Sequence, residues 1–365
     1  MSGGQAAAST ARQERQAAGS FDAGFDSALR RFLGWAVILI TSGYTFLDYW
    51  NYHVNFPEGG GEWDALLAGR SFAPAQYRIG VLRTADLLAR LTHTHLRHAF
   101  AVIDFVCLGV SLWLLMWLLG RTEIFRGAAR LGRWLQASLA LGCFLLYLLW
   151  SFWYQKPETH ATLLLLVLSA SAAQWGRRLP AVIALIALAA IGATVRVDAL
   201  VAFHVGFLVA CVLPQSLVQS RSLPLGRSVQ AVASVLSIAA AIGVAYFIMH
   251  RMYPDAPRQV AALQLFSNLK LWVNYFVVAA ALFPWWMTVT LAVRRWHALD
   301  GWSVGLVIGS AVHFALFYIL GIAWEVRIFL PFAMTMVPLT VTLAYAAIER
   351  RAADGQNAGP SLRSG

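Results

Sequence analysis

The first long apolar run of the sequence ends in an acid followed by aromatic, amide and imidazole side chains, Asp48 in DYWNYH. A carboxylate at the rim of a partly desolvated cavity can take a proton from a hydroxyl, which makes Asp48 the first candidate for a general base. The same acid also fits an aromatic-belt span end with no chemistry attached. The stretch from Asp48 to Arg83 gathers further ionisable groups, among them Glu62, Asp64 and Arg78. Arg78, in AQYRIGVLR, carries a planar fork of donors that matches a phosphate. Its plain alternative is a cation snorkelling at a helix start.

Farther along, Arg196 with Asp198 and Glu325 with Arg327, in WEVRIFLP, are charge pairs interrupting apolar sequence. Such pairs can simply neutralise each other, or can join Arg78 in lining one phosphate cavity. Glu158 in YQKPETH follows Pro157, where an acid in the first turn of a helix is favoured by the macrodipole. His160, in the same helix, is a candidate donor to a sugar or phosphate. In HTHLRH, at 93–98, the histidines have no fixed carboxylate beside them, so no metal ligand set is assigned. A divalent cation therefore stays an open cofactor. Asp104, His204 and His313 lie deep in apolar runs and are weighed only as marks of a transporter.

The elements that must position these groups are set by composition. The chain is 59% hydrophobic and 12% charged, with mean hydropathy +0.63, which excludes a soluble domain. Apolar stretches at 32–51, 99–120, 133–154, 159–175, 179–196, 197–213, 229–250, 271–293, 302–322 and 327–347 are each of a length suited to crossing a bilayer. The expected fold is an all-α polytopic transmembrane helix bundle of about ten spans. As one straight helix the 179–213 stretch would overrun the bilayer at 1.5 Å per residue. A break is expected near Arg196 and Asp198, which are costly deep in lipid.

Net charge is +11, yet the cations are dispersed in short loops and do not form a nucleic-acid face. Arg30, Arg31, Arg121, Arg126, Arg177, Arg178, Arg221, Arg227, Arg294, Arg295, Arg350 and Arg351 all fall on one side of the expected bundle. The positive-inside rule then gives cytoplasmic N- and C-termini, as in a multi-pass cytoplasmic (inner) membrane protein. Residues 1–31 read as a partly disordered cytoplasmic segment, 32–347 as the bundle with an outer loop at 52–98, and 348–365 as a disordered cytoplasmic tail. Two interfacial helices are expected in that outer loop. One carries Trp63, Leu66 and Leu67 on a single face; the other sets Arg83, Asp86 and Arg90 against Val81, Ala85 and Leu88. Asp86 reads as an intrahelical ion-pair partner. Cys107, Cys143 and Cys211 lack CxxC spacing and read as small buried hydrophobes. No P-loop, GxGxxG, HExxH or GxSxG is present, which argues against an ATPase, a dinucleotide enzyme or a zinc protease.

The order of these features resembles the polytopic C-type (GT-C) membrane glycosyltransferases. The resemblance rests on Asp48 at the end of the first span, ALLAGRSF in a large first outer loop, QYRIGVLR opening the next helix, Arg196 in a mid-chain break and a late WEVRIFLP. It covers most of residues 32–347 in layout, through short motifs. It implies a polyprenyl-phosphate-linked sugar donor, Asp48 as the base toward an acceptor hydroxyl, and Arg78 or Arg196 stabilising the departing lipid phosphate. The family's frequent Asp-Glu or Asp-x-Asp is absent, since Tyr49 follows Asp48. Either Asp48 acts alone, or Glu62 or Asp64 takes the role, or this chain is not catalytic in that way.

The expected function is transfer of a sugar from a polyprenyl-phosphate donor to a glycan or lipid acceptor at the outer face of the membrane. Membrane lipid is a further partner, and no nucleic acid is expected. The alternatives are a lipid-linked polysaccharide polymerase and a non-catalytic transporter or membrane partner protein.

Overall fold

The computed structural model describes residues 27–29, 31–50, 62–73, 75–120, 130–151, 158–175, 177–214, 223–257, 263–296, 299–321 and 328–357, and every regular element among them is helical. In chain order they are α1 (Ser27–Trp50), α2 (Glu62–Leu67), α3 (Ile79–Thr92), α4 (Leu96–Leu119), α5 (Arg130–Ser151), α6 (Glu158–Ala172) and α7 (Arg178–Val212). There follow α8 (Arg227–Phe247), α9 (Leu265–Lys270), α10 (Trp272–Ala281), α11 (Phe283–Arg294), α12 (Gly301–Leu320), α13 (Leu330–Thr335) and α14 (Val337–Asn357). Five helices, α1, α4, α7, α8 with its continuation to Met252, and α12, are long and apolar enough to cross a membrane. Shorter apolar helices cover Trp134–Leu146, Glu158–Ala172 and Val337–Ile348.

The amphipathicity of α1 runs inside out. Leu33, Thr41, Tyr44 and Asp48 are buried at three-, four- and eight-residue spacing, while Phe32, Trp35, Leu39, Phe46 and Trp50 are exposed. An apolar exterior around a more polar interior is what a lipid solvent selects. Helix α6 is apolar nearly all round and is buried from Thr159 to Ala172, apart from Leu164 and Leu168. A helix without a polar face belongs in the middle of a bundle. It packs there against α4, α7 and α13, and the fully buried Trp302 of α12 donates its indole N–H to the Ala170 carbonyl at 3.2 Å. Hydroxyls in the core turn back on their own helices, as when Ser169 donates to the Leu165 carbonyl and Ser171 to that of Val167. This removes their desolvation cost.

Helix α7 doubles back. Arg196 has φ −151° and ψ 85°, and a side chain placed on Gly192 would meet Leu200. In a straight helix those two residues would stand about 12 Å apart. The break falls at the residue whose charge is dearest to bury, and the two arms make a hairpin in place of two separate helices. The 271–293 stretch is likewise divided, into α10 and α11, with Pro284 in the first turn of α11. Cys143 stands on the exposed exterior, whereas Cys107 and Cys211 are buried.

In the first loop, Trp63 of α2 packs on Phe100 with ring centroids 4.5 Å apart, and Leu66 and Leu67 rest against the core. Helix α3 buries Val81 and Ala85, and its Arg90 donates to Asp86 at 3.0 Å. Helices α7 and α12 cross in close contact. Any β-carbon on Gly206 would land on the backbone of Gly305 and Gly309. Small residues four apart allow backbones to approach where no hydrophobic force separates helix from lipid.

Gly206→Leu should cost about 2 kcal/mol by overpacking, read as a lower melting temperature of the purified protein in detergent. Gly243→Leu, where nothing lies within 4 Å of the added carbon, should stay within about 0.5 kcal/mol of the parent. Equal melting temperatures for the two variants would remove this crossing from the account of stability.

Candidate functional site

The ionisable groups gather in two clusters at the first turn of α6. The first cluster joins three helices. Asp48 lies near the end of α1, Asp104 two turns into α4, and His160 at the third residue of α6; each side chain is 1% exposed. His160 Nδ1 stands 3.1 Å from Asp104 Oδ1 and 3.7 Å from Asp48 Oδ2. The Tyr44 ring meets the imidazole edge-on at 5.1 Å. The α1–α4 pairing that sets this register is held by Thr41 against Gly109 and by the Tyr49 hydroxyl against His98 Nε2 at 3.1 Å.

The second cluster is charged and less enclosed. Arg78 meets Glu158, the first residue of α6, at 3.4 Å, with side chains 23% and 15% exposed. At the turn of α7, Arg196 is ion-paired to Asp198, with Nε donating to Oδ1 at 2.9 Å. The Arg196 guanidinium also lies 5.1 Å from the Phe317 ring centroid of α12. Burial, and next the neighbouring Arg196 guanidinium, hold Arg78 below the ordinary guanidinium range, against the pull of Glu158 and Asp198. A guanidinium stays protonated at any physiological pH, so Arg78 remains a cation, paired with Glu158 in a cluster of two guanidinium groups and two carboxylates.

Three residues of the AQYRIG segment, Gln76, Arg78 and Gly80, have a local structural reason. Gln76 is fully buried; its amide donates to the Leu66 carbonyl at 3.0 Å and its oxygen accepts from Ser71 N at 2.9 Å, stapling the first loop. Arg78 sits just ahead of α3. Gly80 has no side chain because Thr194 of α7 occupies that space. The close approach at Gly80 is what brings the Arg78 backbone up to the turn holding Arg196. On the far side of the loop, Ala73 N donates to the Pro257 carbonyl at 2.8 Å.

No family model, no curated protein and no solved structure matches this chain.

Of the residues singled out from sequence, the structure brings Asp48 together with His160, Arg78 with Glu158, and Arg196 with Asp198. Asp64 is exposed on α2, whereas Asp48 and Asp104 are buried. Glu62 opens α2, but its side chain lies outside the described residues, as do Glu325 and Arg327. Asp104, which the sequence marks only as a deep acid of the kind found in transporters, is the one carboxylate in the apolar run of α4. That alone was a usable signal, since intramembrane acids mark functional sites. Among the described residues the histidines of HTHLRH form no metal-ligand group: His93 closes α3 at φ 52°, while the rings of His95 and His98 lie 5.6 Å apart and His98 also meets the Tyr49 hydroxyl. Among the described residues, the group with metal-ligand spacing is instead Asp48, Asp104 and His160.

Breaking a buried ion pair from one side leaves the other charge stranded, at about 3–5 kcal/mol, while replacing both by apolar groups of similar volume is close to neutral. Arg196→Met should therefore destabilise the detergent-solubilised protein strongly, and Arg196→Met with Asp198→Leu should recover most of the loss. Chemical unfolding of the two variants measures it; additive losses would mean that the pair is not coupled.

Proposed function

We propose that the chain is an integral membrane glycosyltransferase of the C-type (GT-C) kind, moving a sugar from a polyprenyl-phosphate donor to a glycan or lipid acceptor at the outer face of the membrane. In this reading the bundle crosses about ten times, with both arms of α7 and the shorter apolar helices counted as crossings. Helices α2 and α3 lie at the outer headgroups, and both termini are cytoplasmic in the cell envelope's inner membrane.

One observation carries the reading: the first turn of α6 holds Arg78 through Glu158 and holds Asp48 and Asp104 through His160. An acid and a guanidinium thus flank the same helix start. The first N–H groups of a helix have no intrahelical acceptor and favour an anion. A lipid phosphate seated there meets Arg78, with Arg196 behind it, while the acceptor hydroxyl loses its proton to Asp48. Stabilising charge on the departing phosphate in a dry site is the larger contribution, and proton removal adds about 10²–10⁴-fold.

A proton-coupled carrier is the second reading, favoured by the burial of all three triad side chains at 1% exposure. Intramembrane acid–histidine groups of this kind serve as proton relays in pumps and transporters.

Reconstituted wild-type protein should transfer sugar from a polyprenyl-phosphate donor, and Asp48→Asn should slow transfer by about 10²-fold or more while inserting normally. Movement of solute across the liposomes, with no transfer from any such donor, would replace the enzyme by the carrier.

A further inference from the structure

The triad of Asp48, Asp104 and His160 has a property that depends on neither reading. Its donor atoms, one from each of three helices, all lie within 4.8 Å of one another. A four-coordinate ion with bonds of about 2.1 Å sets neighbouring ligand atoms roughly 3.4 Å apart. The two nitrogen–oxygen separations, 3.1 and 3.7 Å, bracket that value.

Hydrogen bonding within the triad is incomplete: His160 Nε2 has no partner among the described residues, and neither has one Asp48 oxygen, which a cation at Nδ1 would satisfy. One Nδ1–H can serve one carboxylate, and it serves Asp104. Asp48 Oδ2, fully buried, makes no hydrogen bond among the described residues. Two carboxylates also outweigh one imidazole in charge, and buried charge without compensation costs several kcal/mol per ion. A doubly charged ion in the space that the Nδ1 proton otherwise fills would bind the imidazole nitrogen and both acids at once.

We propose that Asp48, Asp104 and His160 bind one divalent transition-metal ion, Mn²⁺ or Zn²⁺. The mixed imidazole and carboxylate donor set is what selects this class: all-oxygen sites suit Mg²⁺ and Ca²⁺, and thiolates suit Cu(I). Three protein ligands are one fewer than the four that close a structural zinc site.

The test uses tag-free, full-length protein in detergent, stripped with chelator and dialysed against ZnCl₂ or MnCl₂, with bound metal counted by mass spectrometry and Mn²⁺ read by electron paramagnetic resonance. One ion per chain is expected, with a rise in melting temperature on loading, since a ligand bound only to the native state stabilises it. Asp48→Asn, Asp104→Asn and His160→Asn should each weaken binding by more than about 100-fold, beyond what loss of an outer-shell partner costs. His93→Ala and His95→Ala should leave stoichiometry unchanged. Should a single substitution prevent folding, the wild-type loading curve and melting shift still decide the matter. Absence of bound metal in the folded wild type overturns the site, and so does full stoichiometry in a folded triad variant. None of these measurements reads sugar transfer, so failure of the transfer reading and failure of the metal site are separate results.

Discussion

Charge that cannot reach water governs this bundle. Asp48, Asp104, His160 and Arg196 are all within a few per cent of complete burial, in helices whose outer faces are apolar. Such groups are tolerated only when they find one another, so each helix bearing one is constrained in depth and rotation. Asp48 fixes α1 against α4, His160 fixes α6 between them, and the Arg196–Asp198 pair marks where α7 reverses. Hydrophobic contact alone would leave those registers free, because lipid tails offer the same contact.

Close packing makes that convergence feasible. Gly80 against Thr194, Gly206 against Gly305 and Gly309, and Gly109 against Thr41 are positions where a small residue lets polar partners or backbones meet. The central helix α6 contributes Ala161, Ser169, Ala170, Ser171 and Ala172 to the same end. At the end of α12 that carries Phe317, Asn268 donates to the carbonyls of Tyr318 and Gly321 at 2.7 and 2.8 Å, satisfying acceptors that the helix end leaves open. The polar side chains therefore close the helix ends that packing cannot.

What could be read from the sequence was local. The break at Arg196 follows from the expense of a guanidinium in lipid, and the Asp86–Arg90 pair from helical spacing. The face of α2 that carries Trp63 follows from the same periodicity. The pairing of His160 with Asp104 spans 56 residues and joins two helices without any period in common, so no local rule could select it. Asp104 sits in a run whose apolar neighbours gave it no partner in sequence. Glu158, read as a helix-start acid favoured by the macrodipole, does occupy that position, but its contact with Arg78 depends on the packing of α3 against α7, which no local pattern encodes. Nor could the sequence distinguish the exposed Asp64 from the buried Asp48, since both stand beside aromatic residues.

The two clusters share a helix turn without sharing a helix face. Residues two apart on a helix point in nearly opposite directions, so Glu158 and His160 send Arg78 and the acid triad to opposite sides of α6. A small solute could touch one cluster and miss the other. A ligand that engages both must lie across the helix start, with its anionic part near the amide groups and Arg78 and a hydroxyl on the triad side. The enclosure changes in the same direction, from side chains 23% and 15% exposed at Arg78 and Glu158 to 1% at the triad. An extended, singly charged headgroup entering from the less enclosed side fits this gradient better than a compact ion, because it leaves its charge where some solvent remains and sends its uncharged end inward. That asymmetry is what favours the proposed sugar transfer from a lipid phosphate over the proposed carrier, even though the buried triad taken alone would suit either.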